Sequence, residues 1–224
     1  MESEELRAAK KFELETPELI CRWRLFGGVL PLANRHLRAL SKRIVGGKRV
    51  SPHLIAWAKQ HIEGTLQEGS QEVPDGVLML LLEKNGQAAM TVGPYVPLED
   101  CTTVSLAARA RISQREAQAT RCAPEVLWIV QDNKVIVGVS QDTVLSGVTS
   151  LIGDLAKTMN LKIEYDSLLI THTFQNLTEF DEVFLTSDEH GVVCASDASG
   201  VVGKKFLKGY QKLLEVHKAA SNSK

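Results

Sequence analysis

The chain has 224 residues, of which 44% are hydrophobic and 24% charged, with a formal net charge of -1 at pH 7. This balance belongs to a globular chain and excludes a fibrous or disordered one. It gives no electrostatic reason to expect nucleic acid or an anionic membrane surface as a partner.

The length suffices for one large or two small domains. Cys21, Cys101, Cys122 and Cys194 lie far apart and form no C-x-x-C pair. They fit buried thiols in a reducing compartment better than a disulfide frame or a zinc site. No apolar run is long enough to cross a membrane, and the opening "MESEELRAAKKFELE" lacks the apolar core of a secretory signal. A cytoplasmic protein is expected.

In chain order, Glu2 to Lys11 reads as a short charged helix or a loose end. Leu19 to Phe26, "LICRWRLF", alternates apolar and polar, which predicts a strand with Leu19, Cys21, Trp23 and Leu25 inward. Gly27-Gly28 turns the chain. Two helices follow, over Leu32 to Ile44 and Ser51 to Leu66. The second opens on a capping serine and a proline, and Leu54, Ile55, Ala58 and Ile62 line one face. "GVLMLLLEKNGQAAMTV" predicts a hairpin about Asn85-Gly86. The prolines of "GPYVPLED" mark a boundary between residues 1–97 and 98–224.

The stretch 101–124 is partly helical, without a clear register. Strands "VLWIV" and "KVIVGV" follow about the turn "QDN", then a loop, a helix over Ser150 to Met159, and a strand over Leu161 to Tyr165. "LTEFDEVFLTS" predicts a helical turn and the strand Val183 to Ser187, and "DEHG" turns into "VVCAS". A last helix over Lys204 to Lys218 buries Phe206, Leu207, Tyr210, Leu213 and Leu214. Hairpins mixed with separate helices predict two α+β domains.

From Val126 onward the order of elements resembles the class IV aminotransferase family, the pyridoxal phosphate (PLP) enzymes that include branched-chain and D-amino-acid aminotransferases and aminodeoxychorismate lyase. The resemblance rests on "VLWIVQDNKVIVGVSQDTVLSGVTSLIGDLAKTMNLKIEYDSL", then "NLTEFDEVFLTSDEHGVV"; the run Phe180 to Thr186 is its most specific part. "WRLFGGVLPLANRHLRALSKRI" is similar, more loosely, to the family's strand, turn and "eHleRL" helix, with His36 and Leu40 in place. The resemblance implies an N-terminal α/β sandwich, a C-terminal barrel-like α/β domain, a coenzyme between them, and a homodimer.

The same resemblance implies a Schiff-base lysine between the hairpin and Val126, yet no lysine occurs between Asn85 and Asn133. Covalent capture of the coenzyme's aldehyde needs that amine. Lys134 is the nearest lysine, and it is read as a solvated strand residue. The glutamate that pairs with the ring nitrogen falls on Arg121, the phosphate-gripping arginine on Ala39, and the second phosphate-binding threonine on Asp188. Gly147, Val148 and Thr149 at a helix start survive as candidate phosphate or coenzyme contacts, with Ser187 beside them.

Outside the family, Gly147-Val148-Thr149 reads as a helix cap, Arg121 as an ion-pairing surface residue and His36 as a structural histidine. Asp188, Glu189 and His190 read as a surface turn and not a metal site. Trp23 and Trp128 read as core.

Three functions stay open. The first is a relative that has lost PLP-lysine catalysis, binds PLP weakly or not at all, and holds a small anion. The second is an active aminotransferase or aminodeoxychorismate-lyase-like enzyme with a displaced lysine. The third is a non-catalytic binding or scaffold protein.

Overall fold

The computed structural model describes residues 17–64, 72–175 and 179–221, the side chains of 217–221 excepted. The expected helix over Glu2 to Lys11 lies outside them.

The N-terminal part is a three-stranded antiparallel sheet in the order β1-β4-β5, built from β1 (Leu19–Arg24), β4 (Val77–Leu82) and β5 (Ala88–Gly93). Between β1 and β4 run α1 (Ala33–Leu40), a small hairpin of β2 (Ile44–Val45) and β3 (Lys48–Arg49), and α2 (Pro52–Gly64). Leu19, Trp23, Leu78, Leu80 and Leu82 of the sheet form one core with Leu37, Leu40, Ala58 and Ile62 of the helices. Each fully buried leucine or isoleucine among these stabilises by about 1.5–3 kcal/mol. Ser51 caps α2 by accepting the Leu54 amide at 3.2 Å, as the sequence predicts.

One local expectation fails here, and the hairpin expected about Asn85-Gly86 forms with a longer loop. The first helix ends at Leu40 and not Ile44, because the chain enters the β2–β3 hairpin, whose turn residues Gly46 and Gly47 both have positive φ. The β4–β5 loop is wider than a two-residue Asn-Gly turn. Glu83 N donates to Gln87 O and Gly86 N to Glu83 O, and only Gly86 has positive φ. That is a three-residue loop closed by a left-handed glycine.

The C-terminal part is a five-stranded sheet in the order β10-β9-β6-β7-β8. Its strands are β6 (Val126–Gln131), β7 (Lys134–Val137), β8 (Lys162–Tyr165), β9 (Glu182–Ser187) and β10 (Gly191–Cys194). Neighbours are antiparallel except β7 and β8, which α4 (Gly147–Thr158) connects as a crossover helix. The predicted turn after β6 is a two-residue one, with Asp132 and Asn133 both left-handed.

Helices cover both faces of this sheet, which is why "VLWIV" carries no polar alternation. Val126, Trp128 and Val130 pack with Ile152 of α4 and with Phe206 and Tyr210 of α6 (Val201–Ser221). Leu127 and Ile129 pack on the other side with Leu106, Ala107 and Ala110 of α3 (Thr103–Thr120) and Leu169 and Ile170 of α5 (Leu169–Phe174). The unassigned stretch 101–124 is thus mostly one helix, capped by Thr102, which accepts the Ser105 amide. Its buried stripe is largely small residues, so it shows little hydrophobic periodicity.

Candidate functional site

The N-terminal sheet and α1 face the start of α4 and the β9–β10 turn across a cleft. Polar links close it: Arg22 to Glu116 at 2.6 Å, Arg35 to Asp154 at 3.0 Å, Arg43 Nη2 to Val144 O at 2.9 Å, and Arg24 N to Asp188 O at 2.9 Å. What remains is a cavity of about 40 Å³, lined by Cys21, Arg22 and Trp23 of β1, His36 and Ala39 of α1, Arg43, Ser113 and Glu116 of α3, Cys122, Glu125, Ser146, and 187–189. That is room for a few waters, each of which needs roughly 10–15 Å³. Among the described residues no lysine lines it.

Helix α4 begins at the cleft. The amides at the start of a helix have no partner within it, and here Gly147, Val148 and Thr149 each find one nearby. Gly147 N donates to Asp188 Oδ2 at 3.3 Å, and Val148 N to Asp188 Oδ1 at 2.8 Å. Thr149 N donates to the N-cap Ser146 Oγ at 3.2 Å, and Ser150 N makes the first regular bond of the helix, to Ser146 O at 3.0 Å. Asp188 therefore takes the place an external anion would take at the positive end of the helix.

Burial alone would raise the Asp188 carboxyl, but His36, the Val148 amide and Ser146 together hold it below its ordinary value. His36 Nδ1 stands 3.2 Å from Asp188 Oδ2, close enough for an ion pair but not aligned as a hydrogen bond. The histidine ring stacks on Trp23, with centroids 5.4 Å apart. Gly147 makes room for it, since a Cβ there would lie 2.6 Å from His36 Nδ1.

Behind this group runs a buried chain of hydroxyls. Trp128 Nε1 donates to Thr186 Oγ1 at 2.8 Å, Thr186 lies 2.9 Å from Thr149 Oγ1, and Ser146 Oγ donates to Thr149 Oγ1 at 2.9 Å. Thr149 is fully buried, its hydroxyl spent on this chain. Ser187 lines the cavity, and its Oγ accepts the His190 amide at 2.8 Å.

The structure thus brings Gly147, Val148, Thr149, Ser187, Ala39, His36 and Asp188 to one end of the cleft. It does not bring in Arg121. That residue ends α3 in a left-handed conformation, half-exposed, and pairs with Glu18 at 3.3 Å; helix termination turns it away from the cavity. Lys134 pairs with Glu164 across β7 and β8 at 3.4 Å, also outside the cavity.

The expected surface turn at Asp188 to His190 is in fact packed inward, with the His190 side chain 4% exposed. Sequence reasoning also missed Arg22, Arg43, Glu116 and Glu125 as cavity walls. The charged residues at alternate positions of "CRWRL" were the available signal for Arg22.

Comparison places this architecture. The chain is similar to a hypothetical aminotransferase from Mycobacterium tuberculosis in its PLP-bound form, with 12% identity, 94% of each chain covered and a TM-score of 0.60. It is similar to a branched-chain amino acid aminotransferase from T.th. at 10% identity, over 92% of this chain and 90% of that one, with a TM-score of 0.56. A fold IV-transaminase from Curtobacterium pusillum matches at 12% identity, over 90% and 85% of the two chains, with a TM-score of 0.51. The chain has the α+β fold of the class IV, or fold-type IV, aminotransferases. At these identities the likeness is one of fold. No family model matches the sequence, and no curated protein does. Among the described residues no helix is long and apolar enough to cross a membrane.

Proposed function

We propose that this chain keeps the aminotransferase fold without PLP-lysine catalysis, as a non-catalytic binding protein. Every backbone donor in the first turn of α4 already has an internal acceptor, two of them the Asp188 carboxylate, and the proposal rests on this. A phosphate dianion arriving there would meet a buried negative charge in place of free amides. The residues present do not fit PLP: among the described residues the cavity has no lysine, and its volume is about 40 Å³.

A small anionic ligand has a different place in this reading. Arg35, Arg38 and Lys42 line a groove of about 300 Å³ with Thr143 and Ser150, and no described carboxylate lines it. Two units meeting near Pro97, a homodimer and a cytoplasmic location complete the proposal. Four free cysteines support the reducing compartment.

The test compares inorganic phosphate binding by the wild type and Asp188→Ser, followed by calorimetry. The variant frees the Gly147 and Val148 amides, so phosphate is expected to bind it at least tenfold more tightly than it binds the wild type. Equal affinity, lost in both on Thr149→Val, would mean that the start of α4 already holds phosphate and that the proposal is wrong.

A further inference from the structure

Beside the same cavity stands a second cluster, made of residues other than those of the Asp188 bridge. Glu125, just before β6, and Glu189 and His190, in the β9–β10 turn, each present one ligand atom, and these atoms all lie within 4.8 Å of one another. The side chains of His190 and Glu125 are 4% and 8% exposed. His190 Nε2 is buried and has no hydrogen-bond partner. Glu125 Oε1 is 3.9 Å from it, beyond hydrogen-bond reach.

On the other side of the ring, Nδ1 lies 3.3 Å from the Tyr95 hydroxyl. A histidine ligand to a metal is built in this way: one ring nitrogen bonds an outer partner, here a hydroxyl able to accept from Nδ1–H, and in that tautomer the other turns its lone pair toward the ion. A bare buried nitrogen facing two carboxylates is otherwise a costly arrangement.

We propose that Glu125, Glu189 and His190 bind a divalent first-row transition metal ion. One imidazole nitrogen with two carboxylate oxygens suits zinc, manganese or ferrous iron, and the absence of thiolate from the set disfavours soft ions such as Cu(I). Three protein ligands leave coordination positions for water. Glu125 and Glu189 both line the 40 Å³ cavity, which has room for that water. Metal–ligand bonds of about 2.0–2.2 Å set ligand atoms roughly 3.4 Å apart, so loading draws the three atoms inward by a rotamer-scale movement.

Cations already surround the cluster. Arg109 holds Glu125 through Nε, at 3.0 Å to each oxygen, and through Nη2 at 2.6 Å to Oε1. Arg24 stands 3.5 Å over the Tyr95 ring. A carboxylate has lone pairs enough for a guanidinium and an ion together. The shared charge weakens the affinity relative to a two-carboxylate site without the arginine.

The experiment titrates the purified full chain, stripped of metal by chelator, with Zn²⁺ by calorimetry and with Co²⁺ by visible absorption. One ion per chain is expected, with cobalt d–d bands. His190→Gln and Glu189→Gln, each checked for folding by circular dichroism, should bind at least tenfold more weakly; His53→Gln, on the exposed side of α2, should bind as the wild type does. If His190→Gln fails to fold, the half-buried Glu189→Gln decides. No binding up to millimolar ion, or binding that both substitutions leave intact, overturns the proposal.

Discussion

Asp188, just after β9, and His36, in α1, meet across the cleft with 3.2 Å between Oδ2 and Nδ1, their side chains 10% and 3% exposed. The same carboxylate accepts the Gly147 and Val148 amides. One buried anion thus joins the helix of the N-terminal part to the first turn of α4. Removing it by Asp188→Ala takes the nearby carboxylate from His36 and leaves two helix amides without their acceptor. The expected loss is about 3–5 kcal/mol, read from urea unfolding. A loss under 1 kcal/mol would mean that the bridge carries little of the stability.

The pH dependence of folding follows from the same group. Its carboxyl is held below the ordinary value in the folded state, so its contribution is present above the unfolded aspartate pKa of about 3.9. That contribution is lost as pH falls through the lower folded value. Between pH 5 and pH 3 the wild type should lose more stability than Asp188→Asn does, measured as the shift in urea midpoint. Parallel curves would contradict this.

Glu182 explains part of the most specific phrase in the sequence without any chemistry. Buried in β9, it accepts the Val202 and Gly203 amides at 3.0 and 2.7 Å, and so caps α6 from outside the helix. Glu182→Ala should cost about 1–3 kcal/mol, and Glu182→Gln less, in thermal or urea unfolding. A near-neutral alanine variant would show that water replaces the carboxylate freely.

Thiol chemistry offers a fourth check. Burial raises the Cys21 thiol to about 12, with Arg43 opposing. Burial also raises Cys122 and Cys194. The thiolate is the reactive form, so Cys21 should stay unlabelled by an aromatic disulfide reagent at pH 8 until the protein is unfolded. Rapid labelling of Cys21 in the native state would mean that the cleft opens readily.

Much of the C-terminal architecture was legible because its strands are buried on both faces and its turns carry their own chemistry, Asp132-Asn133 above all. Helix α3 was not, since Ala107, Ala110 and Ser113 leave its buried stripe almost unmarked. The short α5 has too few turns for a period to emerge. At the site, the sequence identified Asp188 as an anion where a threonine was expected. It could not say that the carboxylate turns onto Gly147 and Val148, because that depends on the β9–β10 turn packing inward. Glu125 and His190 lie 65 positions apart by their numbers, and only the pairing of β6 with β9 brings them together.

The central claim is that the cleft captures no coenzyme. Its most direct test adds PLP to the purified protein, records the visible spectrum, then reduces with borohydride and maps any modified lysine by mass spectrometry. The account predicts no stable imine band and only scattered, sub-stoichiometric lysine labelling. A stable band trapped on a single lysine would contradict it.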